Sequence, residues 1–415
     1  MITCNPSRIL QRIEDFGKIG QNERGGVDRP SFSLADVEAR QTLIQLLQER
    51  QLQVTVDPIG NIFAKRKGKY DAKPSILLGS HIDSVPNGGK YDGMLGVLVA
   101  LEIIEMLDEH QIETNHPIEL VSFTAEEPNP YGLSTLGSRT LTGKLRYEHL
   151  IDVVGRNQDA LKDAVLRVGG DLEAMKEGYS VAPGAYTCFI ELHIEQGMRM
   201  VKSGVPIAIV TDIVGIYRDH IKIIGELNHA GTTMMEDRKD ALVAAADLIT
   251  FIDQTCRKNG IVGTVGQMDI FPNAVNIIPG QTELVVELRA GSKEKIYQTR
   301  DEIHRKLSEL KERRGVDAVI TNMLDQDPVP MDPDVISHMQ NVCEQKKLSY
   351  MMLSSFAGHD ATHLASVTKA GMVFVPSKDG KSHCPEEYTD IRDIATATDM
   401  IFETVLRIDQ SMERS

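Results

Sequence analysis

The chain has 415 residues, 41% hydrophobic and 25% charged, the composition of a soluble globular protein longer than one core usually supports, so two domains are expected. Forty-five basic against sixty acidic residues leave a net charge of −15, which argues against nucleic acid or an anionic membrane as a partner. No apolar run approaches bilayer length, Met1 to Gly20 lacks an apolar signal core, and Cys4, Cys188, Cys256, Cys343 and Cys384 follow no paired spacing, so a reduced cytoplasm is expected.

In chain order, Ala35 to Gln51 places Val37, Leu43, Ile44, Leu46 and Leu47 on one helical stripe. Short strands follow at 53–57 and 61–65, then a buried strand from Ser75 to Gly79 that delivers His81 at its carboxyl end. Met94 to His110 reads as an amphipathic helix, Ile118 to Thr124 as a strand running into Glu126-Glu127, and Thr187 to His193 as a strand running into its histidine. Strands alternating with helices, with polar residues at the strand ends, describe an α/β sheet whose site lies along its carboxyl edge.

From about 213 the order becomes strand (216–225), helix (237–257), strand (263–271), strand (282–290), helix (293–314) and strand (316–321), a β-α-β-β-α-β pattern that predicts a ferredoxin-like insert. A helix at 332–346, a strand at 372–375 and a closing helix at 390–407 return the chain to the first domain. The expected division is 1–212 and 327–415 for a discontinuous catalytic domain, with 213–326 as the insert.

Five possible metal ligands stand in strand-end contexts: His81, Asp92, Glu127, His193 and His383. Two histidines, a carboxylate able to bridge, and a further Glu and His are what two adjacent divalent cations need. Asp83, two residues beyond His81 on an extended chain, points the same way and can orient its imidazole. Glu126, beside Glu127, can take a proton from a metal-bound water and return it to a leaving nitrogen. This pattern predicts a two-metal hydrolase, with Zn²⁺, Mn²⁺ or Co²⁺ all suited to the ligand set.

These residues resemble the M20 metallopeptidase clan, and within it the hydantoinase/carbamoylase group of N-carbamoyl-L-amino-acid hydrolases, allantoate amidohydrolases and β-ureidopropionases. The resemblance rests on Gly79 to Asp83, Gly88 to Gly93, Ala125 to Glu127, Glu191 to Gly197, His229 to Thr233, Asn276 with Pro279-Gly280, Gly358 to Ala361, and Phe374 to Ser377 before Ser382-His383. It implies a mixed-sheet α/β catalytic domain with an inserted α+β sandwich that serves as lid and homodimer interface. It further implies one metal on His81 and His193, another on Glu127 and His383, and Asp92 bridging, with Glu126 as general base. Substrate contacts would fall on Gln196, His229, Asn276, Arg289, Gly358 and His359. Arg289 with Asn276 would suit a substrate carboxylate and His229 an oxyanion, so a substrate would engage both domains.

The implied reaction is hydrolysis of the carbamoyl C–N bond of an N-carbamoyl-L-amino acid or related ureido acid. Allantoate amidohydrolase, an N-acyl-amino-acid amidase or dipeptidase, and a non-catalytic binding or scaffold protein of the same fold are the alternatives. Two departures speak against allantoate. Pro128-Asn129-Pro130-Tyr131-Gly132 stands where many relatives carry Gly-Ser-Arg-Phe, and Ile216-Tyr217 follows Gly215 where the allantoate enzymes carry glutamine.

Overall fold

The computed structural model describes residues 2–411. The chain divides into two compact units, Met1–Thr211 with Pro330–Ser415, and Asp212–Val329. Its strands are β1 (Gln53–Val56), β2 (Ile62–Arg66), β3 (Ser75–His81), β4 (Ile118–Phe123), β5 (Tyr186–Ile194) and β6 (Ile207–Ile213). There follow β7 (Gly215–Ile224), β8 (Asn228–His229), β9 (Val262–Phe271), β10 (Ile277–Ile278), β11 (Gln281–Ala290) and β12 (Asp317–Gln326), then β13 (Val329–Pro330), β14 (Tyr350–Ser355) and β15 (Ala370–Val375).

The larger unit is built on a sheet of order β1-β2-β4-β3-β5-β15-β6-β13, with β14 joined to β6. β4, β3, β5 and β15 run parallel, while β2 and β6 are antiparallel to their neighbours β4 and β15. Every residue of β3 and of β15 is buried, which is why both read as unbroken apolar runs. Helix α1 (Pro6–Lys18) starts at an Asn5 cap whose side chain accepts from Arg8 N, with proline in the first turn where its missing N–H costs nothing. It buries Ile9, Ile13 and Phe16 in the core that also receives α2 (Leu34–Glu49) and α3 (Met94–Glu109). Buried from Met94 through Leu107, α3 is a core helix, and each fully buried leucine on it contributes roughly 1.5–3 kcal/mol.

The smaller unit folds as a ferredoxin-like α+β sandwich. Its four-stranded sheet has the order β12-β7-β11-β9, all pairs antiparallel. Alternate residues of β7 and β11 are buried, and their Ile221, Ile223, Leu284, Val286 and Leu288 share a core with Leu248, Ile252, Ile303 and Leu307 of the helices Ala241–Asn259 and Lys293–Arg314. Beyond Ile224 and Gln281 the β7·β11 pairing continues through Gly225 and Gly280 into β8·β10. The architecture is therefore α/β with a mixed sheet and an α+β insert, as the strand and helix order and the resemblance together imply. No helix among the described residues is long and apolar enough to cross a membrane.

Candidate metal centre

The parallel strands present their polar residues at their carboxyl ends. His81 is the last residue of β3, Glu126 and Glu127 follow β4, His193 lies one residue from the end of β5, and His383 sits on the loop after β15. Asp92 precedes α3. His193 Nε2 is 3.1 Å and His81 Nε2 3.7 Å from Asp92 Oδ1, while His383 Nε2 is 3.2 Å from Asp92 Oδ2 and 3.4 Å from Glu127 Oε1. Two ligand groups result, His81-Asp92-His193 and Asp92-Glu127-His383, each with donor atoms within 4.8 Å of one another. Asp92 belongs to both and offers a different oxygen to each. Gly93 makes this possible: it has φ +63°, and a Cβ there would lie 2.3 Å from the His81 ring.

Asp83 orders the surroundings. Its Oδ1 is 3.5 Å from His81 Nδ1, and its carboxylate accepts Ser31 Oγ at 2.7 Å and the backbone N–H groups of Glu126 and Glu127 at 3.3 and 3.1 Å. His81 Nδ1 also lies 3.1 Å from the Asp83 carbonyl, so a proton on Nδ1 leaves the Nε2 lone pair for the Asp92 side. Ala125, at φ +53°, breaks the extended run after β4. The two glutamates then part: Glu126 Oε2 is 3.8 Å from His81 Nε2, whereas Glu127 faces His383.

Asp83, Asp92, Glu126 and Glu127 are all buried, and their ion-pair partners among the described residues are histidines. Burial lifts the Glu126 carboxyl well above its ordinary range, with Asp360 adding to the effect, and burial followed by Asp92 pushes Glu127 up to about 7. Burial acts the other way on His81, yet the hydrogen bond to Asp83 and the charge of Glu126 hold it well above its usual value. The hydrogen bond to Asp92 lifts His383 to about 9. Clustered carboxylates that raise one another's proton affinity attract cations generally, and imidazole nitrogen with carboxylate oxygen is the donor set of borderline divalent metals. The residues present fit such a pair of ions.

The sequence profile of peptidase family M20/M25/M40 matches residues 77–407, which contain every residue of this constellation. The chain belongs to this family. It is 34% identical to an N-carbamoyl-L-amino-acid amidohydrolase of Pseudomonas sp. (strain NS671), covering 98% of this chain and 99% of that one. It is 30% identical to an allantoate amidohydrolase of Bacillus subtilis (strain 168), over 95% and 97% of the two chains. Among solved structures, a hydantoinase/carbamoylase-family amidase from Burkholderia multivorans superposes with a TM-score of 0.91 at 30% identity, covering 98% of each chain.

The remaining expected residues of this M20-family chain fall in three places. Gln196, at φ +57°, donates its amide to Asp92 Oδ2 at 2.7 Å and to Ser382 Oγ at 3.1 Å, so here it braces the shared carboxylate. His359 is buried with its ring centroid 4.5 Å from that of His193 and its Nε2 2.9 Å from Ser355 Oγ, while Gly358 has open space where a Cβ would stand. His229, Asn276 and Arg289 all lie in the smaller unit. His229 Nδ1 accepts Gly231 N–H at 3.0 Å, which leaves the proton of the neutral ring on Nε2, free to donate.

Within one chain Arg289 and Asn276 do not meet. His229 and Asn276 flank the β8·β10 pairing beyond Gln281, and Arg289 lies eight residues along β11 in the opposite direction, about 26 Å at the rise of a strand. Within one copy the two residues therefore stand far apart along the unit. Sequence reasoning also passed over three buried acids. Glu191 accepts Ser80 Oγ at 2.7 Å and forms a third group with His193 and His359; Asp360 accepts from Ser138 Oγ; Glu387 binds backbone near Asp92 and His383. For Glu191 the signal was its place two residues before His193, on the same face of β5.

Proposed function

We propose that this chain is a binuclear metal amidohydrolase that cleaves the carbamoyl C–N bond of an N-carbamoyl-L-amino acid or a related ureido acid, releasing the amine, CO₂ and ammonia. The observation that carries the reading is the pair of three-residue ligand groups joined by the two oxygens of Asp92, with Glu126 beside them. The similarity to an N-carbamoyl-L-amino-acid amidohydrolase over nearly the whole chain supports the substrate class. His81 and His193 would hold one divalent ion, Glu127 and His383 the other, and Asp92 both. When bound, Zn²⁺ or Mn²⁺ supplies a water of lowered pKa and a Lewis acid for the carbonyl.

The rest falls to the chain's own residues. Glu126, whose carboxyl already favours holding a proton, takes one from the attacking water and delivers it to the departing nitrogen. His229 Nε2–H is the donor for the developing oxyanion, and Arg289 binds the substrate carboxylate. Gln196, Gly358 and His359 would be the substrate contacts beside the ligands, Gln196 next to Asp92 and His359 against the His193 ring.

We further propose a homodimer formed through the smaller unit. In support, His229 with Asn276 and Arg289 stand at opposite ends of the unit's sheet, so two copies, each contributing one end, can attend a single small substrate. Val319, Ile320 and Met323 on β12 and Val262 and Met268 on β9 are also exposed. A cytoplasmic location accords with the unpaired cysteines.

The test is a panel of N-carbamoyl-L-amino acids, allantoate, N-acyl amino acids and dipeptides, each with Mn²⁺ and with Zn²⁺, read as ammonia and amine release. Ammonia with free amino acid from the carbamoyl compounds is the expected result. Amine without ammonia would move the enzyme to the amidase or dipeptidase alternative. Turnover of allantoate alone would favour the allantoate reading, which similarity to the Bacillus enzyme keeps in play. No metal uptake and no turnover would leave a binding protein.

A further inference from the structure

Glu387 is buried and no lysine or arginine is paired with it among the described residues. Every oxygen interaction it makes runs to the two loops that carry Asp92 and His383. Oε1 accepts the backbone N–H groups of Tyr91 at 2.9 Å and Asp92 at 3.0 Å, and Oε2 accepts Ser382 Oγ at 3.1 Å and His383 N–H at 3.3 Å. Ser382 Oγ is at the same time 2.9 Å from Asp92 Oδ2, so one hydroxyl stands between the two carboxylates. The Asp92 loop also closes tightly on this side chain: a Cβ on Gly89 would lie 2.0 Å from Glu387 Oε1.

A solitary buried carboxylate is costly, and it is retained where several N–H and O–H donors converge on it. Here four donors converge from segments almost three hundred residues apart in the chain. His81 and His193 stand on the ends of β3 and β5 and are fixed by the sheet itself. His383 and Asp92 stand on loops, and His383 has φ +57°, a conformation its own backbone does not favour. Something must set the distance between those two loops, and Glu387 bonds to the backbone of both, whereas Gln196 reaches their side chains.

We propose that Glu387 is a positioning residue for the ligand group Asp92-Glu127-His383: it sets the spacing of the Asp92 and His383 loops and so the affinity of that half of the centre for a divalent cation. The inference rests on the two-metal reading given above. Hydrogen-bond partners that orient metal ligands typically govern affinity by about 10–100-fold. The effect should be unequal between the two halves: Asp92 serves both, but its partners His81 and His193 do not depend on Glu387, whereas His383 does.

The test uses full-length enzyme stripped with a chelator and titrated with Co²⁺ or Mn²⁺, with bound metal counted at each free concentration. Unmodified protein should take up two equivalents. Glu387→Gln, close to isosteric, should keep one equivalent close to the original affinity and need about 10–100-fold more free metal for the second. Its metal-free form should melt near the metal-free unmodified protein, and excess metal should restore most of the turnover. Glu387→Ala should show the same asymmetry more strongly; if it does not fold, Glu387→Gln decides. Two equivalents at unchanged affinity in Glu387→Gln would overturn the proposal. So would equal loss of both equivalents with a lower metal-free melting temperature, which is the mark of a merely structural residue. Unmodified protein that binds no metal would sink the two-metal reading and this inference together.

Discussion

The two ends of α3 bury carboxylates in opposite ways. Toward its carboxyl end, Glu102 and Glu105 meet the guanidinium groups of the neighbouring helices: Arg8 Nε is 2.7 Å from Glu102, and Glu105 lies 2.7 Å from Arg12 Nη2 and 2.6 Å from Arg50 Nε. Burial raises the Glu105 carboxyl, but the bonds from Arg12 and Arg50 outweigh it and leave it below its ordinary range. At the amino end, Asp92, Glu126 and Glu127 have imidazoles for their ionic partners among the described residues, and Glu126 and Glu127 are pushed up instead. A carboxylate answered by a fixed cation completes the fold, whereas a group of them without one is built to receive a cation from outside.

The largest effect should come from removing the shared ligand. Asp92→Ala takes away the only carboxylate common to both groups, so uptake of both metals should fall and turnover should drop to background, while His193→Ala should mainly affect one equivalent. Counting bound metal after dialysis checks this, and two equivalents retained in Asp92→Ala would remove the bridging role. Glu126→Gln should come next. It should keep both metals and bind substrate, yet lose on the order of 10³-fold in kcat, about 4 kcal/mol, because an amide cannot carry the proton. Near-normal turnover in that variant would show that another group is the base.

At the other end of α3 the comparison predicts loss of stability without loss of chemistry. Glu105→Ala strands Arg12, whose remaining anion is Glu102 at 3.8 Å, and should cost about 3 kcal/mol, read by urea unfolding of metal-saturated protein. The folded fraction should turn over normally and hold two metals. A fall in kcat there, with metal content unchanged, would break the division between structural and functional acids drawn above.

The same contrast explains what could be read from the sequence. His81, Glu127 and His193 were legible because parallel strands are continuous apolar runs that end abruptly in polar residues, and the alternation of strands with helices says which edge those ends share. The β-α-β-β-α-β order of the smaller unit was legible for the same reason. Helix α1 went unassigned, since its buried face mixes Ile9, Ile13 and Phe16 with Arg12, and the arginine is intelligible only beside Glu105 on a distant helix. Glu387 was hidden in the same way: its partners at Tyr91 and Asp92 adjoin it only in space. Local pattern reveals what a segment does for itself, and a buried ion's partner is by nature elsewhere. The strand expected at 282–290 already set Arg289 at its far end from Asn276, but not whether one copy or two would serve a substrate.

Arg289 offers the smallest and most discriminating test, because it belongs to neither class. It donates Nε to Glu287 Oε1 at 2.8 Å, and the same glutamate also takes Arg218, whose Nε is 3.0 Å from Oε2. Glu287 is held below its ordinary range: partial burial raises it, but the two arginines outweigh that. One anion, Glu287, is thus shared by two guanidiniums, and a guanidinium fork is the group that suits a substrate carboxylate. Arg289→Ala should therefore raise KM for N-carbamoyl amino acids by roughly 10–100-fold, the equivalent of about 1.5–3 kcal/mol for a charge-assisted bond. A substrate whose carboxylate is converted to an amide should already be poor with the unmodified enzyme and lose little more in the variant, and unfolding stability should move by about 1 kcal/mol or less for a half-buried pair whose anion keeps a second arginine. Equal losses on both substrates, accompanied by a comparable loss of stability, would place Arg289 with Arg12 among the fixed cations of the fold and withdraw it from substrate recognition.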